Sequence, residues 1–210
     1  MHEMKPATEP SSNRRLRIGL ALLLWVWFAA VLCVNLPGHL THDSLTQIAE
    51  GRSGVVQSWN PIFSSWAFGQ LVGWSGGTEI VVALSAAMAA GGIYLLVACG
   101  GSRLWSLIPA ALVLFTPVMM IYPGIVWKDV WFAHLALLGF GLIALRSLVN
   151  DSLTRMGTEL AALLCLAAAL LSRQTGLLVS LVGVLALTTI QLQGKKPPRG
   201  PWHLTMQCVG

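Results

Sequence analysis

The sequence predicts an all-α polytopic membrane protein, with about six transmembrane helices and interfacial helices in a long first outer loop. Of its 210 residues, 55% are hydrophobic and only 10% are charged, and the mean hydropathy is +0.71. Soluble domains carry about 25% charged residues and roughly 45–50% apolar ones. The composition therefore argues against a water-soluble protein and is too apolar for a disordered one. With a net charge of +5, we expect the cations to face membrane surfaces rather than nucleic acid.

Six apolar runs are candidates for the spans. Residues 1–15 are polar and are expected to form a disordered cytosolic tail, and the run 16–36 is about 21 residues long, enough to cross a bilayer. Further spans are expected over the runs 78–99, 104–122, 130–149, 158–172 and 176–192. Pro109 and Pro117 are expected only to kink the third run. The polar residues 172–176 divide the last apolar stretch, which is too long for one span at about 1.5 Å per residue.

The segment 60–74 is apolar but only about 15 residues long and begins at a proline, so it is predicted to lie in the interface. With that segment not crossing, ten of the 13 Lys and Arg residues fall on one side of the membrane. If it crossed, this positive-inside bias would collapse. The sequence therefore predicts a cytosolic N-terminus, an outer loop over 37–77 and a cytosolic basic segment over 194–210. Such a pattern is typical of a bacterial inner membrane.

All three outer connections contribute polar residues to the same predicted face of the membrane. Carboxylates can act as a general base or hold a divalent ion, and cations can hold a phosphate. A Lys-Asp pair opening an apolar helix is costly if buried, so it must be solvated, paired or functional. The candidate site residues are His42, Asp43, Asn60, Lys128, Asp129 and Arg173.

Each candidate also has an ordinary explanation in the sequence. Thr41 or Asp43 could cap a short amphipathic helix that runs to Glu50, with residues 45, 48 and 49 towards lipid. Asn60 could cap the interfacial helix, with Pro61 in its first turn. A lone Arg173 is explained by snorkelling. The histidines have no ligand spacing, so a histidine-based metal site is not expected.

In their order and side, these motifs resemble the GT-C superfamily of integral-membrane glycosyltransferases, in its protein mannosyltransferase-like and aminoarabinose transferase-like branch. That branch has an acidic residue soon after helix 1, an interfacial helix opened by a proline motif, an Asp at the start of helix 4, and a basic residue with Gly between helices 5 and 6. The resemblance covers about residues 16–193. The matching motifs are His42-Asp43, Asn60-Pro61, Lys128-Asp129 and Arg173-Gln174-Thr175-Gly176.

The resemblance implies transfer of a sugar from a polyprenyl-phosphate donor to an acceptor hydroxyl on the extracytoplasmic side. It implies that Asp43 is the general base, that Lys128 and Arg173 contact the donor phosphate, and that His42 and Asn60 bind substrate. Asp129 would order the site or, with Asp43, hold a divalent ion such as Mg²⁺ or Mn²⁺. Lipid-linked donor and membrane lipids are therefore the expected partners.

The sequence departs from this family in two ways. Asn60 stands where many relatives have His or Glu before the proline, and the chain is about half the usual length. We therefore also consider a non-catalytic membrane protein or a remnant of an enzyme. A transporter or flippase subunit is a further alternative, although the charges cluster at helix ends rather than near the midplane. The sugar, the acceptor and the oligomeric state are not specified by the sequence.

Overall fold

The predicted all-α class is confirmed for the part of the chain that the computed structural model describes, which is residues 11–55, 59–100 and 104–192. Within these ranges the regular structure is helical and no β-strand occurs. A single parallel bridge joins His39 to Ile125. The helices are α1 (Ser11–Asn35), α2 (His42–Ser53), α3 (Ile62–Ser75), α4 (Glu79–Cys99), α5 (Leu107–Leu114), α6 (Pro117–Ile121), α7 (Lys128–Leu148), α8 (Ser152–Ser172) and α9 (Gly176–Leu192), with 3-10 turns at Leu104–Ser106 and Tyr122–Gly124.

Four of the described helices are long and apolar enough to cross a membrane: α1 from Arg14 onwards, α4, α7 and α8. The bent pair α5–α6 would make a fifth span if it is counted as one. Helix α9 is apolar but only 17 residues long. The chain therefore has the apolar helices of an integral membrane protein, and the count of six crossings stays a prediction.

Several element boundaries differ from those expected from hydropathy. Helix α1 begins at Ser11, so residues 11–15 of the expected tail are helical. Helix α8 begins at Ser152, six residues before the apolar run that marks it in the sequence. Hydropathy marks only the apolar part of a helix, whereas Asp151 caps α8 about two turns before that part begins. Residues 1–10 of the expected tail, Arg103 and the expected basic segment 194–210 lie outside the described residues.

The apolar run 104–122 forms two short helices that meet at a sharp bend. Helices α5 and α6 meet at 75°. Thr116 lies between them with an extended backbone (φ −66°, ψ 150°), and Pro117 occupies the first turn of α6. A residue before proline is pushed out of the helical region because the proline ring clashes with its backbone. The run is therefore bent sharply at Pro117, and its crossing of the membrane as one span stays a prediction.

Helix α4 lies at the centre of the packing, against α1 on one side and α7 on the other, and α7 packs in turn against α8. Small buried residues of α4 let its backbone approach its neighbours closely, as is common between membrane helices. The core between α3, α4 and α7 includes Phe68, Val81, Val82, Val126 and Trp131. The core between α1 and α4 includes Leu20, Leu24, Trp27, Val31, Ala86 and Ala89.

Large apolar side chains cover much of the outer surface of the long helices. Leu22 and Trp25 of α1 and Leu164 of α8 are all more than 60% exposed. In water such a surface would be costly, because burial of apolar area is the main favourable term in folding. The surface is therefore compatible with lipid around the described helices.

Candidate functional site

Two chain segments, 35–39 and 120–126, are joined by hydrogen bonds just before α7. The backbone of His39 donates to the carbonyl of Gly124 at 2.9 Å, and Val126 donates back to the carbonyl of His39 at 3.0 Å. The buried Asn35 donates its amide to the carbonyls of Val31 and Met120 at 2.7 and 2.8 Å. These bonds fix the end of α1 against the connection that leads to α7, and thereby set the position of Lys128 and Asp129.

Asp129 and Arg173 form an ion pair between the start of α7 and the end of α8. The Arg173 Nη1 atom lies 3.1 Å from the Asp129 Oδ1 atom, and the two side chains are 44% and 22% exposed. That carboxylate oxygen is closed to solvent and accepts no well-formed hydrogen bond from a described residue, so the contact is ionic only. The guanidinium carbon also lies 6.0 Å from the ring centre of Phe132, where a cation–π contact contributes.

Lys128 contacts Asn60 across 68 residues of sequence. The lysine Nζ donates to the Asn60 Oδ1 atom at 2.6 Å. The prediction that Asn60 caps α3 is wrong, because Pro61 occupies the N-cap position and no side chain caps that helix. Asn60 instead binds the ammonium group of Lys128. This contact joins the residue before α3 to the start of α7.

Asp43 and His42 lie in the first turn of α2, and both are exposed. Thr41, not Asp43, caps α2, in a capping box shared with Ser44. The Ser44 hydroxyl donates to the carbonyl of Val126, two residues before Lys128. Neither the Asp43 nor the His42 side chain forms an ion pair or hydrogen bond with a described residue. Asp43 is therefore an open carboxylate, next in sequence to a serine that binds the connection leading to Lys128 and Asp129.

The structure thus pairs four of the six predicted site residues. Asn60 pairs with Lys128 and Arg173 pairs with Asp129, and both contacts are made by the first two residues of α7. Asp43 reaches this end only through its neighbour Ser44. His42 is brought to the same helix end without a partner among the residues described.

The described residues do not form a ready site for a divalent ion. They include no group of three or more His, Cys, Asp or Glu side chains that could hold a metal. Of the two expected ligands, Asp129 already faces a guanidinium, and a second cation there would be repelled. A metal held by Asp43 and Asp129 stays a prediction.

A buried polar seam between α2 and α3 was not expected from the sequence. Helix α2 buries Ser44, Gln47 and Glu50 and exposes Leu45 and Ala49, so its polar face points inwards. The Ser65 hydroxyl of α3 donates to the Glu50 carboxylate at 3.4 Å. The expectation that Ile48 faces lipid is wrong, since it packs against the core. The spacing of the three polar residues at every third position was the available signal.

His134 is a further candidate residue, which the sequence motifs did not indicate. It lies six residues into α7, and its Nδ1 atom is 2.9 Å from the hydroxyl oxygen of Ser85 on α4. Ser85 is fully buried. An ionisable side chain within a membrane helix is rare and needs a polar partner, and here the facing serine supplies it.

The opposite end of the bundle has its own ion pair, between Arg146 of α7 and Glu159 of α8. The Asp151 carboxylate caps α8 by accepting from the backbone and hydroxyl of Thr154, each at 2.8 Å. These hydrogen bonds lower the pKa of Asp151 below its ordinary value. Because α7 and α8 run antiparallel, this end lies away from Asp129 and Arg173.

The site is thus made of short contacts between connections at one end of a helical bundle, and its residue types suit phosphate and hydroxyl chemistry. Compared with protein-family models, with curated proteins and with solved structures, the chain matches none of them.

Proposed function

We propose that this chain is a membrane glycosyltransferase that moves a sugar from a polyprenyl-phosphate donor to an acceptor hydroxyl on the extracytoplasmic side. One observation carries the proposal. Asn60, Lys128, Asp129 and Arg173 come from three separate connections and form two contacts at the start of α7. Helices that merely cross a membrane have no need of a lysine, an aspartate and an arginine at one point, because each charge is costly near lipid.

Lys128 is suited to hold the phosphate of the donor. Its partner Asn60 is a neutral amide, so the contact at 2.6 Å orients the ammonium group without cancelling its charge. An ammonium has three N–H donors, and Asn60 takes one of them. The remaining donors can make charge-assisted hydrogen bonds to phosphate oxygens. Arg173, which is 44% exposed, would approach the same phosphate from the end of α8.

Asp43 is the proposed general base. Its carboxylate is exposed and has no partner among the described residues, so it is available to a substrate. As the acceptor oxygen attacks the anomeric carbon, Asp43 takes the hydroxyl proton and the bond from that carbon to the phosphate oxygen breaks. The polyprenyl phosphate leaves with one more negative charge, which Lys128 would stabilise. Attack opposite the leaving group inverts the anomeric centre.

The proposed setting is a bacterial inner membrane with the N-terminus in the cytosol. The positive-inside distribution supports this orientation. In this orientation both contacts, Asn60–Lys128 and Asp129–Arg173, would lie on the outer side, and the Arg146–Glu159 pair would lie on the cytosolic side. A donor anchored by a polyprenyl chain would reach the outer pairs laterally from the bilayer, past the apolar surface of the long helices.

The test is a transfer assay with the purified chain in nanodiscs. Polyprenyl-phosphate-linked hexoses and an aminopentose, each labelled in the sugar, are offered with membrane lipids extracted from bacteria as acceptors. We expect transfer from one donor, and its loss in Asp43→Asn, which keeps the size of the side chain but removes the base. The matched control is Asp151→Asn, which alters an exposed aspartate at the opposite end of the bundle and should transfer normally.

Normal transfer by Asp43→Asn would refute the role of Asp43. Absence of transfer from every donor, both in nanodiscs and in membranes that contain the chain, would favour the non-catalytic alternative.

A further inference from the structure

The two cations of the site are held by partners of different charge. Lys128 is bound by the neutral amide of Asn60, whereas Arg173 is bound by the carboxylate of Asp129. The pair Asp129–Arg173 is therefore neutral as a unit, and the lysine keeps a net positive charge. An anion that reaches this site meets one available cation and a second one that a carboxylate already neutralises.

The backbone of Arg173 is fixed while its side chain is partly free. Its amide donates to the carbonyl of Leu170 at 3.3 Å, and its carbonyl accepts from Gly176 at 2.8 Å. Gly176 packs closely against α8, since a Cβ atom added to Gly176 would lie 2.6 Å from the Leu170 Cα atom. By contrast, the Arg173 side chain is 44% exposed. An arginine has five N–H donors, so several of them remain for an incoming ligand.

We propose that the Asp129 carboxylate competes with a phosphate group for the guanidinium of Arg173. Asp129 thereby weakens phosphate binding and speeds the release of phosphate. The proposal rests on the phosphate site of the proposed function. The Asp129 Oδ1 atom faces the guanidinium without a well-formed hydrogen bond, so the carboxylate makes a contact that a phosphate could improve upon. Phosphate oxygens match the donor fork of arginine in two-point contacts.

A purely structural ion pair would behave in the opposite way. If Asp129 served only to hold α8 against α7, its removal would loosen the Arg173 side chain and weaken or leave unchanged the binding of an anion. If Asp129 competes with the anion, its replacement by the isosteric amide frees the guanidinium and tightens binding. The sign of the change in affinity therefore separates the two roles, whatever happens to stability.

The experiment measures binding of citronellyl phosphate, and separately of inorganic phosphate, to the purified full chain in detergent by isothermal titration calorimetry. We expect Asp129→Asn to bind about twofold to fivefold more tightly than the parent, which matches the upper part of the range for an exposed ion pair. Arg173→Gln should bind more weakly than the parent. The matched control is Glu159→Gln, which breaks the ion pair at the opposite end and should leave the affinity unchanged.

A gain with the prenyl phosphate alone identifies a lipid-borne ligand, and a gain with both probes identifies phosphate in general. Equal or weaker binding by Asp129→Asn, or an equal gain in Glu159→Gln, overturns the proposal. Should Asp129→Asn fail to fold, Asp129→Ser is measured in the same way. It also removes the carboxylate, so it should again bind more tightly than the parent, and equal or weaker binding overturns the proposal. Binding is read without sugar transfer, so failure of the proposed enzyme activity is a separate result.

Discussion

Replacement of Gly69 by alanine should separate α2 from α3. Gly69 and Gly51 face each other where these helices cross, and a Cβ atom on Gly69 would lie 2.5 Å from the Cα atom of Gly51 and 2.7 Å from the amide nitrogen of Arg52. These are backbone atoms, so no side chain can turn away. Overpacking of a close contact costs about 1–3 kcal/mol, and we expect the upper part of this range here because whole helices must shift.

The assay is thermal unfolding in detergent, followed by tryptophan fluorescence. At about 2–4 °C per kcal/mol for a chain of this size, Gly69→Ala should lower the melting temperature by about 4–12 °C. The control is Gly73→Ala, one turn further along the same helix, where a Cβ atom meets nothing within 4 Å. Alanine should stabilise that exposed position by about 0.5–1 kcal/mol. Equal melting temperatures for the two variants would refute the close crossing.

Two further predictions concern polar contacts outside that crossing. Asp151→Ala should lower the melting temperature at neutral pH, because the cap on Thr154 is lost. Since the pKa of Asp151 is lowered in the folded chain, its stabilisation is present above the ordinary aspartate pKa of about 3.9 and fades as the pH falls further. A difference from the parent that persists undiminished below pH 3 would contradict this. Asn35→Ala should cost about 0.5–1.5 kcal/mol because the part-buried hydrogen bond to the Met120 carbonyl is lost, and an unchanged melting temperature would exclude that role.

The long helices could be predicted because the bilayer imposes a simple rule on the sequence. About 20 apolar residues are needed to cross it, and the runs that contain α4 and α7 satisfy that rule. The break between α8 and α9 was also predictable, since its polar residues 173–175 interrupt an apolar stretch that is too long for one span. A kink at proline was also expected in the run 104–122, but its angle of 75° was not, because that angle depends on what the two separated helices can pack against.

The pairings within the site could not be obtained from local pattern. Asn60 sits before a helix and looks like its cap, and only the approach of Lys128 from 68 residues away turns its side chain elsewhere. The polar face of α2 was assigned to water because an amphipathic helix on a surface normally exposes it. Here Gln47 and Glu50 are buried, and Ser65 of α3 donates a hydrogen bond to Glu50. Such choices follow from tertiary contacts, not from the period of the sequence.

The central claim is that Asp43, Asp129 and Arg173 share the outer face of one membrane. It is tested by single cysteines at positions 43, 129 and 173 in a chain without the four native cysteines, labelled in intact cells with a membrane-impermeant thiol reagent. We predict that all three positions are labelled without permeabilisation. Labelling at 43 in intact cells, with labelling at 129 and 173 only after permeabilisation, would mean that the segment 60–74 crosses the membrane. The proposed site would then be divided between the two faces.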